Sequence, residues 1–355
     1  MSVTIVKTGI YCSVQDQGRR GYQRYGVPVS GAMDKHAAAV ANLLCGNTYD
    51  LAVLEFVLHG ASIQFDDDTL IAFAGSGAIP VVISPSLQPG SLQGPALGGS
   101  LVGGTGNTTA LPVHKCIFVP KNTIVELQYS DKGCMMYMAI AGGIDVPMVM
   151  GSRSMYAPVG AGGKQVAGGR LQVAEMTEVS RNIIKNMVGD KVVVSTWGAI
   201  ELIEEVETDC VRVMRGHEWE QFNRVSQNKW LNDRFTISNA SDRMGVKLEG
   251  GGLQVAGGRL QAAGYEMIST AVTMGTVQVI PDGSPLILMA DAQTTGGYPR
   301  IAQVIDADLP ILAQKRPGDK IRFREVSPLV AEELYVNRQE ELIRLKRNIR
   351  TKFSI

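Results

Sequence analysis

Short apolar runs recur along the chain between glycine, proline, asparagine and aspartate, and most are too short to wind a helix. Residues 3–10, 53–58, 62–65, 70–74, 117–119, 124–129, 135–140 and 191–197 read as strands, and 210–215, 234–237, 276–280, 286–290 and 320–324 continue the series. The segment 124–129 alternates imperfectly, as a half-buried strand does. Met135-Met-Tyr-Met-Ala-Ile140 is apolar at every position, which predicts a strand covered on both faces. Three segments follow a helical pattern instead. Ala37, Val40, Ala41 and Leu44 fall at i, i+3, i+4 and i+7 between Asp34, a capping residue, and Gly46, a helix stop. A second helix is expected near 217–231 and a third over 331–349. In the third, Leu334, Leu342, Ile343 and Leu345 sit among many charges, so it either clasps a neighbour or lies solvated on the surface.

One stretch repeats. Gln165-Val-Ala-Gly-Gly-Arg-Leu-Gln172 recurs as Gln254-Val-Ala-Gly-Gly-Arg-Leu-Gln261, and Ala174 and Ala263 follow at matching positions. The copies lie farther apart than the roughly 20–50 residues of a solenoid repeat, which fits duplicated domains or a local copying event. A length of 355 residues suits two domains of roughly 100–200 residues each. The charged stretch 201–209 places the boundary: 1–203, then 204–330, then a terminal helix over 331–355. Glycine, at 40 residues, is spread over the whole chain and supplies the tight turns that many short strands need.

Charge narrows the partners. The 34 basic side chains cancel the 34 acidic ones, so nothing draws the chain generally to nucleic acid or to anionic lipid. No apolar run has the length of a membrane span or of a signal peptide's core, and a cytoplasmic location is expected. The five cysteines form no Cys-x-x-Cys pair and read as reduced core residues, and the four histidines are scattered, so no metal site is expected. A phosphate-binding loop is missing too, because Gly162-Gly163-Lys164 lacks both the earlier glycine and a following serine or threonine.

Candidate chemistry gathers in three polar clusters. Val14-Gln-Asp-Gln-Gly-Arg-Arg-Gly-Tyr22 with Gly26-Val-Pro-Val-Ser-Gly-Ala-Met-Asp34 sets Asp16, Arg19, Arg20, Ser30 and Asp34 among glycines that let backbone N–H groups approach an anion. The same residues also fit a structural turn in which Asp34 caps the helix and Arg19 pairs with Asp16. Ser241-Asp-Arg-Met-Gly245 is the second cluster. The third, Ala290-Asp-Ala-Gln-Thr-Thr-Gly-Gly-Tyr-Pro299, follows an apolar strand, as ligand loops and ordinary polar turns both do.

Taken in order, these clusters resemble the family of the prokaryotic 5-oxoprolinase C-subunit, also called allophanate hydrolase subunit 2 or the KipI antagonist family. Ala141-Gly-Gly-Ile-Asp145, Gly151-Ser-Arg-Ser-Met-Tyr156, Leu248-Glu-Gly250 and Ala313-Gln with Arg316-Pro-Gly-Asp319 extend the match over nearly the whole chain. The resemblance implies a mainly β fold of two cyclophilin-like β-barrel domains with a few rim helices and a C-terminal helix, related to the carboxyltransferase region of urea amidolyase. It implies two partners, a KipI-like B-subunit and a LamB/YcsF-like A-subunit. The reaction it implies opens 5-oxoproline to glutamate with ATP hydrolysis, the ATP being used through the complex. Two alternatives accompany it. One is a biotin-dependent carboxyltransferase acting on urea or a related amide. The chain has no Met-Lys dipeptide of the kind that carries biotin, so the biotin would arrive on a partner. The other is a non-catalytic regulator that binds a kinase-inhibitor protein. Under the enzyme reading Asp16, Arg19, Asp242 and Arg243 are the catalytic candidates. Ser30, Met33, Asp34, Ser241, Gln293, Thr294, Thr295, Gly296, Gly297 and Tyr298 are the substrate-binding ones, facing one another across a shared cleft. Ala292 stands where the family pattern leads one to expect arginine, which makes Arg243 the expected anion-binding cation of the second half and Arg19 its counterpart in the first.

Overall fold

The computed structural model describes residues 1–83, 108–156, 167–199, 209–256 and 267–353, and the fold is mainly β. In the first half the strands form two antiparallel sheets. One runs in the order Ile144–Asp145, Arg170–Val173, Ser2–Thr8, Ala61–Phe65, Ile124–Tyr129, Ala78–Ile83, Thr108–Ala110. The other runs Val193–Gly198, Lys115–Val119, Thr69–Gly75, Met135–Ile140, Val53–Val57, Tyr11–Gln15. Strand alternation explains how they pack, since Ile5, Ile63, Leu54, Phe56, Phe73, Met136 and Met138 all enter one core between the sheets. Met135, Tyr137 and Ala139 point the other way and join a larger core that continues into the second half. Hence Met135–Ile140 is apolar throughout, as expected.

The helix Lys35–Leu44 lies on that outer face with Ala37, Val40, Ala41 and Leu44 in the larger core. Asp34 caps it, its Oδ1 accepting from the Ala37 N–H at 2.8 Å. In the second half the strands close into a barrel in the order Cys210–Arg215, Arg300–Val304, Thr276–Val279, Pro285–Leu288, Gly245–Glu249, Phe235–Ile237, Lys320–Glu325. A parallel pairing of Cys210–Arg215 with Lys320–Glu325 completes the ring. Trp230 stacks on Phe323 at 3.9 Å inside it. The helix Pro328–Phe353 then returns over the first half, where Ile349 is buried and Phe353 packs against Trp197 at 5.4 Å.

Some elements differ from expectation. Gly9, at φ +64°, turns the chain, so the expected strand 3–10 stops at Thr8 and a further strand, Tyr11–Gln15, begins. The helix expected near 217–231 is a single 3-10 turn, Trp219–Gln221, followed by Arg224–Asn232 with Asn223 as its cap. A helix over Glu178–Lys185, capped by Thr177, was unforeseen. The expected boundary at 203/204, the glycine-rich 94–106 and much of both repeat copies lie outside the described residues. Among the described residues no helix is long and apolar enough to cross a membrane.

Candidate functional site

The two halves are joined by buried polar contacts. Glu55 is the charged residue of the strand Val53–Val57 and is fully buried, so it requires donors. Arg243 of the barrel donates through Nη1 to Oε1, and the Met33 N–H and the Tyr137 hydroxyl each donate to Oε2 at 2.8 Å. Arg243 also gives Nε and Nη2 to Asp291 at 2.7 and 3.1 Å, and Nη2 to the Gly31 carbonyl at 2.8 Å. Burial opposes the charge on Arg243, but Glu55 and Asp291 more than offset this and hold the guanidinium well above its ordinary value. Ser241 and Asp242 build the turn that presents it. Asp242 Oδ1 accepts from the Met244 and Gly245 N–H groups at 2.7 and 3.1 Å, and Ser241 Oγ accepts from the Lys247 N–H at 3.1 Å. Arg243 is thus committed to contacts that join the two halves, and Asp242 shapes the turn that carries it.

Gln314 makes a second brace. Its Oε1 accepts from the Cys134 and Met135 N–H groups at 3.1 and 3.0 Å, and its Nε2 donates to Asp34 Oδ2 at 3.3 Å. Burial pushes the Asp34 carboxyl up, against the hydrogen bonds from Ala37 and Gln314. Asp16 likewise serves the loops. It accepts from the Gly18 and Arg153 N–H groups and from the Ser152 and Ser154 hydroxyls at 2.5 to 2.7 Å. The Arg19 guanidinium is not bonded to it; Nη2 donates instead to the Ser154 carbonyl.

Beside these braces a cleft of about 800 Å³ opens between the halves. Arg20, Val29, Ser30 and Lys35 form one wall, and Met274, Met289, Gln293, Thr294 and Gln303 the other. Glu332 and Tyr335 of the terminal helix close one side. Ser30 takes φ +55°, a sparsely populated conformation for serine, and its buried hydroxyl has no partner among the described residues. Close approach of the loops depends on Gly31, at φ +90°, where a Cβ would stand 2.8 Å from the Gly18 nitrogen. Burial lowers the Lys35 ammonium to about 8, helped by the charge of Arg20 and opposed by Asp306 and Asp16. Ala292 lines the cleft as part of an apolar patch with Val272 and Leu288.

Of the expected substrate-binding residues the cleft gathers Ser30, Gln293 and Thr294, while Met33 and Asp34 are buried in the core and its braces. Thr295–Gly296 pairs with Thr270–Ala271 in a small ribbon, Gly297 lies near the Met267 carbonyl, and Tyr298 is exposed. Sequence reasoning missed Lys35 and Gln303 in the cleft and Glu55 and Gln314 in the braces. Glu55 carried a readable signal, a carboxylate alone in an apolar strand; the burial of Lys35 carried none. Among the described residues no group of His, Cys, Asp and Glu side chains is placed to hold a metal ion.

Two β units are thus braced around a shared cleft lined by both polar and apolar side chains. Residues 25–325 match the carboxyltransferase domain, subdomain A and B, and the chain belongs to that family, as the sequence motifs implied. It is similar to the 5-oxoprolinase C-subunit of Escherichia coli (strain K12), with 33% identity over 323 residues that cover 91% of each chain. The Haemophilus influenzae C-subunit is 32% identical over 319 residues, 89% of this chain and 88% of that one. Among solved structures, Kluyveromyces lactis urea carboxylase superposes with a TM-score of 0.79 and 26% identity over 97% of this chain, which spans only 29% of that longer protein.

Proposed function

We propose that this chain is the carboxyltransferase-like member of an ATP-dependent 5-oxoprolinase complex, working with a KipI-like B-subunit and a LamB/YcsF-like A-subunit. The observation that carries the reading is similarity to the C-subunit proteins over most of both chains, 91% of each for the Escherichia coli one. The cleft supplies the chemistry. An unstrained lactam is a poor electrophile until its carbonyl oxygen is activated, and positive charge held in a dry site stabilises the negative charge that then develops. Lys35, its proton affinity lowered by burial, provides that charge, Arg20 adds a more exposed one at the cleft, and Ser30, Gln293 and Thr294 offer hydrogen bonds to the lactam N–H and C=O. In the overall reaction the ring C–N bond breaks as one water adds across it, its oxygen to the carbonyl carbon and its hydrogen to the nitrogen, and a second water is consumed as ATP becomes ADP and phosphate. The nucleotide belongs on a partner in this reading, because the sequence has no phosphate-loop pattern. The free thiols of Cys12, Cys45, Cys116 and Cys134 support a cytoplasmic location.

The test is to co-express the chain with both partners and follow glutamate release from 5-oxoproline and ATP. Turnover should need all three proteins, and robust turnover by the isolated chain would refute the reading. The urea carboxylase match favours a second reading, transfer of a carboxyl group from partner-borne biotin to urea or a related amide. Activity with urea and bicarbonate in place of 5-oxoproline would select it.

A further inference from the structure

We infer that the outer face of the terminal helix is a docking surface for the same helix of a second copy of this chain, the two lying side by side and antiparallel. Pro328–Phe353 packs inward through Ile349, with Leu342 and Leu345 against the larger core. At 3.6 residues per turn the face directly opposite carries Leu329, Val336 and Ile343, spaced seven apart, and these are 77%, 44% and 55% exposed. A solvated helix carries polar residues on its outermost stripe. An apolar residue at every seventh position there is the seam by which one helix pairs with another.

Charge selects the occupant. Residues 332–341 hold four glutamates and one arginine, and 344–352 hold five basic side chains and no acidic one. A parallel copy would set acid on acid and base on base. An antiparallel copy sets each acidic half on a basic half, and it opposes the two helix dipoles as well. Centring the pair between Gln339 and Glu340 lays Val336 on the partner's Ile343, Glu332 beside the partner's Arg347 and Glu333 beside the partner's Lys346, and two-fold symmetry makes each contact twice. Among the described residues neither Glu332 nor Arg347 has an ion-pair partner of its own. The overlap is about 24 residues, roughly 36 Å at 1.5 Å per residue, with a short apolar seam, so the pair forms reversibly rather than as an obligate dimer. Glu332 also lines the cleft, so pairing brings the partner's Arg347 to its rim. Pairing requires neither the proposed reaction nor the other subunits.

Sedimentation equilibrium of the full chain, from about 1 μM to 0.5 mM, should show a monomer–dimer equilibrium that weakens as salt is added. Ile343→Glu should raise the dimer dissociation constant on the order of tenfold or more while melting like wild type, because the side chain faces outward. If that variant does not fold, Val336→Glu is read in its place. Arg347→Glu should weaken pairing, and adding Glu332→Arg to the same chain should restore it. Orientation is read by oxidation: Val336→Cys mixed with Ile343→Cys should form a disulfide between chains, and neither variant alone should form more than wild type, because cysteine Cα atoms must approach within about 7 Å. A chain that stays monomeric throughout would overturn the inference, and if Ile343→Glu then impaired assembly with a different subunit, the seam would belong to that subunit. Undiminished pairing in the folded glutamate variant, or a disulfide formed by Val336→Cys alone, would overturn it equally.

Discussion

Glu55 and Arg243 illustrate what a residue's neighbours along the chain can and cannot tell. The sequence set Arg243 in a polar loop near Asp242 and Asp291, which fits a ligand-binding cation as well as a brace. Its decisive partner, Glu55, comes from the other half, and no local pattern links the two. Removing Arg243 would leave Glu55 and Asp291 as uncompensated charges, a loss of about 3–5 kcal/mol for a buried pair. Arg243→Met should therefore lower the melting temperature by many degrees, and Arg243→Lys, which cannot reproduce the fork, by several; a melting curve unchanged in both would contradict the brace. Lys35 allows a prediction of the opposite kind. Its ammonium titrates near 8, so the cleft loses a positive charge as pH rises through that value. Affinity for a bound anion should fall between about pH 7 and 9, and Lys35→Met should flatten that part of the binding profile.

At the scale of elements, most strands were legible because each buries alternate side chains, or both sets, in a definite core. The helix Lys35–Leu44 was legible from its period and from Asp34. Tyr11–Gln15 was missed because its outward positions, Tyr11, Ser13 and Gln15, are polar and face the junction of the halves, so the strand lacks a continuous apolar run. The helix Glu178–Lys185 is short and held by its cap: Thr177 Oγ1 accepts from the Ser180 N–H at 3.0 Å and donates to the Gly46 carbonyl at 2.8 Å. Thr177→Ala should cost about 1 kcal/mol, measurable by urea denaturation. Burial also lowers His36 and His114 to about 4. Both are neutral in the fold at pH values where the unfolded chain, titrating near 6.5, is already protonated. Their contribution is complete above about pH 6.5 and is lost as pH falls toward 4, so melting temperatures should drop across that window and drop less in His114→Asn.

For the whole molecule, the larger core and the Glu55 and Gln314 braces make the two halves one cooperative body. Gln314→Leu would orphan the Cys134 and Met135 N–H groups, about 1–3 kcal/mol each, and should lower a single unfolding transition without splitting it. The sequence motifs named the family and the candidate loops, and several of those motifs build braces; the proposed function assigns the chemistry to the cleft beside them. Phosphate release by the reconstituted complex tests that claim most directly, comparing wild type with Lys35→Met in the presence and absence of 5-oxoproline. Release that depends on 5-oxoproline should fall on the order of tenfold in a variant that melts like wild type. An unchanged rate would show that the cleft between the halves is not where the substrate is handled.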